Sequence, residues 1–362
     1  MYFKGKPGPW GELEYVRINL EPPDEFVPTN LFVEAKARWF FAGTTSEELS
    51  NLLAGCELSS KQREELLKPA AWLIQTNGVE VAPSDDLVLS LGKDARAQIY
   101  TALASSERNE YQFWPFKFRN GGFDDWFAES GLSEGTLALL RQLAYTRGTT
   151  LCFSDYSLVM SRIGSMQERR RFMKTLGRTS ALLMKLCIRP DSDTRALADY
   201  WAKGWRAKDI QTLLESLTRV EGSISVDVAH LLPPFARKRL NTFPPPSSSP
   251  TFVPLNCFWT AFNFFNDPPD DKYLDNGVWK DELEREYTRV TEPAFGDLVF
   301  LVRADGAPVH SAVYIADDVV FTKNGFAGRQ PWILMKWDDM IAGFPASQSL
   351  SVMIFHPSRP ME

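Results

Sequence analysis

Apolar positions follow a helical period through much of the first 240 residues and change to alternation after residue 250. Thr45 and Glu48 stand three apart, just ahead of Leu49, Leu52 and Leu53, which is the spacing of a capping box and predicts a helix from about Ser46 to Ala54. Ile210, Leu213, Leu214 and Leu217 mark one apolar helix face, and Leu197, Tyr200 and Trp201 mark another. Further helices are expected near 31–42, 59–76, 93–105, 133–146 and 165–187, with extended pieces at 13–20, 80–91 and 149–153. No repeat of fixed period is present that would indicate a solenoid.

The run Asn241 to Pro250, NTFPPPSSSP, is rich in proline and serine, which keep a backbone extended and solvated. It reads as a linker; the alternative is a loop lying against one continuous domain. Beyond it a helix at 256–266 and a polar loop to about 290 precede alternating segments at 297–303, 309–316, 319–322, 332–335 and 350–355, with a short helix at 337–342. One helix ahead of an antiparallel sheet is an α+β layout. The expected organisation is a mainly helical domain over 1–240, a linker over 241–250 and a second domain over 251–362.

With 362 residues, 44% hydrophobic and 24% charged, the chain can bury a large core and is not a disordered or fibrous sequence. No apolar run reaches the roughly 20 residues that span a bilayer, and the first residues lack the layout of a secretory signal. The net charge of −6 resides in the C-terminal part, where residues 251–362 hold nine basic and sixteen acidic side chains. That balance argues against nucleic acid as the main partner, which needs concentrated positive charge. Arg169, Arg170, Arg171, Lys174 and Arg178 form a basic cluster, and Glu168 beside them favours a solvated helix face.

Cys56, Cys152, Cys187 and Cys257 lie far apart and suggest neither a zinc site nor a disulfide framework. Phosphate-binding loops, dinucleotide-binding glycine fingerprints, serine-hydrolase elbows, paired-histidine zinc motifs and calcium loops are all missing from the sequence. The three histidines are His230, His310 and His356, of which the first and last read as structural.

Cys257 follows Asn256, a good N-cap, and opens a helix whose buried stripe is Phe258, Phe262 and Phe265. A thiol in a first helical turn is favoured as the nucleophilic thiolate by the helix dipole and by a neighbouring imidazole. His310 can supply that imidazole from a strand, on the face shared by Ala312 and Tyr314, with small Ala312 leaving room for a partner. A third polar group on the adjacent strand would hold the ring. An odd hairpin loop or a bulge puts Thr322 and Asn324 on the His310 face, and an even loop puts Lys323 there; Asn324 is preferred, because its amide oxygen can accept from the imidazole. Taken singly, a cysteine at a helix start is more often a small buried hydrophobe and a strand histidine is usually just hydrogen-bonded.

The combination of helix-borne Cys257, Phe295-Gly-Asp-Leu-Val-Phe-Leu and His310-Ser-Ala-Val-Tyr-Ile-Ala resembles the NlpC-type cell-wall endopeptidases over about residues 251–330. The resemblance implies a papain-like fold, a catalytic set of Cys257, His310 and Asn324, and cleavage of γ-D-glutamyl-diamino acid bonds in peptidoglycan stem peptides. It implies a muropeptide partner, a periplasmic or cell-envelope location, and no metal or organic cofactor. The sequence departs from the family at Asn256-Cys257-Phe258-Trp259, where two bulky aromatics replace small residues. Two other readings compete: a cysteine hydrolase or acyltransferase for another amide or ester, and a non-catalytic binding module.

Overall fold

In a computed structural model of the chain, the described residues are 2–27, 37–68, 71–118, 122–203, 206–245, 255–323, 330–344 and 349–358. They form an α+β protein with antiparallel sheets that divides into two compact units, one of Val27–Arg178 and one of Met1–Phe26 with Thr179–Glu362.

This division departs from the expected 1–240 and 251–362 domains. A single apolar core runs through Leu13, Tyr15, Trp201 and Phe235 as well as Cys257, Trp259, Phe300 and Phe321, so residues on both sides of the supposed linker fold together. The start of that segment lies against the sheet: Asn241 N–H donates to Trp332 O at 2.7 Å, Trp332 N–H donates to Thr242 O at 3.0 Å, and Phe243 meets Phe26. Residues 241–245 are therefore a packed loop, and residues 246–250 lie outside the described ones.

The first 240 residues are also less helical than expected. Glu12–Leu20 pairs along its whole length with Thr179–Ile188 in a four-stranded sheet, flanked by Tyr2–Lys4 and Ile224–Asp227. The helix expected over 165–187 ends at Leu176, where Gly177 serves as its C-cap, and the strand that follows buries Met184, Leu186 and Ile188 at two-residue steps. Trp39–Ala42, expected as the end of a helix, is a strand, because its aromatic residues suit a pleated, paired surface. The capping box does form: Thr45 accepts from Glu48 N, and Glu48 accepts from Thr45 N at 2.8 Å. Of the basic residues expected on a solvated helix face, Arg171 is exposed and Arg169 and Arg178 are half-buried, and the three also donate to the carbonyls of Gly131, Ile163 and Trp126.

The unit of Met1–Phe26 with Thr179–Glu362, which holds that four-stranded sheet, also contains a six-stranded antiparallel sheet in the order Tyr287–Val290, Leu350–Pro357, Leu298–Arg303, Pro308–Ala316, Val319–Lys323, Trp332–Lys336. Its two faces bury different cores. Leu298, Phe300, Val313, Phe321 and Trp332 turn to the main core, and Val299, Leu301, Ala312, Tyr314, Val320 and Ile333 to a smaller one. The helix Asn276–Glu286 was expected as loop, since only Trp279 along it is buried and, apart from the partly buried Val278 and Leu283, the segment is mostly polar.

Candidate functional site

Asn256 caps the cysteine helix, Cys257–Phe262, by accepting from Trp259 N at 2.8 Å. All six helical residues are buried in the main core. Phe258 stacks on Trp279 with ring centroids 4.3 Å apart, and Trp259 packs on Phe235, so these two aromatics anchor the helix to its core. Thr260, near one turn beyond the thiol, accepts from Trp332 Nε1 at 3.0 Å, which ties the helix to the edge strand.

His310 stands on the neighbouring strand, directly opposite Leu301. Strand alternation puts it with Ala312 and Tyr314 on the small-core face, and its ring meets Phe344 there. Thr322 lies on the same face: the irregular pairing at Tyr314 and Ala316 leaves Val313 opposite Phe321, and Thr322 Oγ1 reaches His310 Nε2 at 3.0 Å and Ser311 O at 3.2 Å. The parity expected for a bulged hairpin thus holds, and Thr322 is the residue that holds the ring. Asn324, preferred from the sequence for that role, lies outside the described residues. Burial lowers the imidazole pKa to about 4, so the ring is neutral at physiological pH.

The thiol and the imidazole are not brought together. His310 leaves the sheet on the face away from the core that holds the cysteine helix, and no hydrogen bond joins the two among the described residues. What meets the thiol is the next residue along the strand. Backbone N–H groups of Ser311, Phe258 and Cys257 and the Ser311 hydroxyl favour the thiolate, while burial opposes it more strongly and pushes the thiol pKa up. The Ser311 hydroxyl does so from nearby only, since its Oγ is buried without a hydrogen bond of ordinary length and angle among the described residues.

Lys323 is the second group on that side. It alternates with Phe321 toward the main core and pairs with Trp332, whose indole bonds the cysteine helix. Its side chain is fully buried, and desolvation lowers its pKa to about 8, opposed by attraction to Cys257. A cysteine, a hydroxyl and an amine that ionises near neutrality therefore converge where an imidazole was expected. The signal was available in the sequence: His310-Ser311-Ala312-Val313 alternates, so whichever face His310 takes, Ser311 takes the other.

His356, expected to be structural, bonds buried Asp297 through Nδ1 at 2.6 Å, and Asp297 also accepts from Ala294 N. The pair latches the last strand to the start of Leu298–Arg303. Among the described residues no cluster of side chains suits a metal ion, and no helix is long and apolar enough to cross a membrane. Comparisons with protein-family models, curated proteins and solved structures returned no match.

Proposed function

We propose that the unit containing Cys257 is a papain-like, cysteine-dependent amide hydrolase, and that its substrates are the stem peptides of peptidoglycan in the cell envelope. The substrate class rests on the resemblance of the Cys257, Gly296-Asp297 and His310 segments to cell-wall endopeptidases. The observation that carries the chemistry is the setting of the thiol: backbone N–H groups around the sulfur, and an amine of lowered basicity on the same side of the sheet.

In this arrangement Lys323, as the neutral amine, takes the Cys257 proton, and the thiolate attacks the substrate carbonyl carbon. Charge developing on the carbonyl oxygen is met by backbone N–H donors near the thiol. The Lys323 ammonium returns the proton to the leaving amine as the C–N bond breaks, and water, deprotonated by Lys323, then releases the acid from the thioester. His310, held by Thr322 against the other core, supports the sheet and exchanges no proton with Cys257. No metal or organic cofactor enters these steps.

One observation favours a second reading. The thiol is nearly sealed and its pKa raised, as in a binding module that has kept the fold without the reaction. Incubation with purified muropeptides, followed by product mass, separates the readings. Release of a diamino acid fragment by the wild type and not by Cys257→Ala supports the hydrolase; muropeptide binding without turnover supports the module. Turnover of other amides or esters alone would refute the cell-wall assignment.

A further inference from the structure

Along the strand Pro308–Ala316, Val313 and Ile315 enter the main core at a two-residue step, and Ser311, directly opposite Phe300, belongs to the same row. Ser311 is fully buried, and the cysteine helix packs against this strand. Alanine, the residue that follows at 312, would fill such a position without burying a polar atom.

Other buried hydroxyls of the chain are paired. Six serines and threonines are buried among the described residues. Thr136 bonds Glu168, Ser154 bonds Tyr145, Thr175 donates to Arg171 O, Thr260 accepts from Trp332, and Thr322 bonds both His310 and Ser311 O. Of the six, Ser311 alone has an Oγ with no hydrogen bond.

The group beside that hydroxyl is the Cys257 sulfur. The N–H and the hydroxyl of Ser311 both favour the ionised over the neutral thiol. A neutral thiol is only a weak acceptor, so the hydroxyl stays unbonded while the sulfur keeps its proton. Thr322 holds the Ser311 carbonyl at 3.2 Å from the other face of the sheet, which fixes the backbone and leaves the hydroxyl hydrogen to rotate.

We propose that the Ser311 hydroxyl is a catalytic donor, bonding the Cys257 sulfur when it becomes a thiolate and the substrate carbonyl oxygen when the charge moves there. Its second role rests on the hydrolase reading of Cys257, whereas the first concerns the thiol alone. Lys323 takes the thiol proton, a sulfur electron pair forms the C–S bond, and the carbonyl π pair moves onto oxygen. Ser311 keeps its own proton and turns from sulfur to oxygen. When the intermediate collapses, the carbonyl re-forms, the C–N bond breaks, and the leaving amine takes the proton from Lys323. A donor without an acceptor in the resting fold has no bond to break when charge appears, which is the condition of electrostatic preorganisation. An unpaired hydroxyl in a core also lowers stability, the pattern of a group retained for function.

Ser311→Ala in the full chain tests both roles. Its thermal unfolding midpoint equals or exceeds that of the wild type, since the variant loses no hydrogen bond within the protein. Alkylation of Cys257 by iodoacetamide, mapped by peptide mass, has its pH midpoint about one unit higher in the variant. With a muropeptide that the wild type cleaves, kcat falls about a hundredfold while KM stays within about twofold. A wild type that cleaves no muropeptide refutes the cell-wall reading, and the alkylation profile then decides the role of Ser311. An alkylation midpoint unchanged in Ser311→Ala, a lowered unfolding midpoint, or a loss of turnover carried by KM alone would each overturn the proposal.

Discussion

Acidification tests where His310 stands. The ring is 2% exposed, its Nε2 is bonded to Thr322, and burial lowers its pKa from 6.5 to about 4. In the unfolded chain the same ring takes up its proton near 6.5, so between these values the unfolded state binds more protons and folding weakens as pH falls. At about 1.4 kcal/mol per pH unit, the loss accumulates to roughly 3 kcal/mol by pH 4. An imidazolium paired with a thiolate would have a raised pKa and the opposite slope. Urea unfolding of the wild type and of His310→Gln, followed by tryptophan fluorescence from pH 7.5 to 4, isolates this contribution, because the remaining acidic groups are common to both. The stability difference between the two shifts toward the variant by about 3 kcal/mol across that range. A difference constant to within about 0.5 kcal/mol, or one that grows in favour of the wild type in acid, would refute the placement of His310.

Other perturbations have defined signs. Thr322→Val removes the bond to His310 Nε2 and leaves a buried ring nitrogen without its partner, which costs about 1–3 kcal/mol in the same unfolding assay. Lys323→Met removes an amine whose charged form is disfavoured by burial; the variant gains stability at pH 7, and its advantage shrinks as pH rises from about 8 toward 10.5, where the unfolded amine also loses its proton. Asp155→Asn leaves the Arg96 charge buried without its counterion and destabilises the unit of Val27–Arg178 by about 3–5 kcal/mol, read by hydrogen exchange of the helix Lys93–Leu103.

Five of the six strands of the sheet were legible as short apolar runs separated by turn signals, with both faces buried, whereas Tyr287–Val290 was expected as loop. The capping box at Thr45 and Glu48 was equally direct. The strand Thr179–Ile188 was not, since it follows a true helix and its buried residues include several good helix formers; only its pairing with Glu12–Leu20, far away in sequence, fixes it as extended. The domain boundary failed for a related reason. Proline and serine identify a segment that is not regular, but whether it spans two cores or lies on one depends on contacts such as Asn241 with Trp332.

At the candidate site the sequence singled out Cys257 and His310 and preferred Asn324 as their third member; Lys323 was weighed only as a neighbour of His310, and Ser311 was not singled out. Alternation assigned His310 and Ser311 to opposite faces; which of those faces the cysteine helix covers is decided by the core that Phe258 and Trp259 share with Val313 and Phe321, a tertiary choice.

The most direct test of the account is the rate of Cys257 alkylation by iodoacetamide from pH 6 to 11, with peptide mass mapping, in the wild type, Lys323→Met and His310→Gln. The account predicts a thiolate that appears above the ordinary cysteine range of about 8.5, a rate at pH 8 that falls about tenfold in Lys323→Met, and a profile unchanged in His310→Gln. A profile that depends on His310 and ignores Lys323 would contradict it and restore the imidazole as the partner of the thiol.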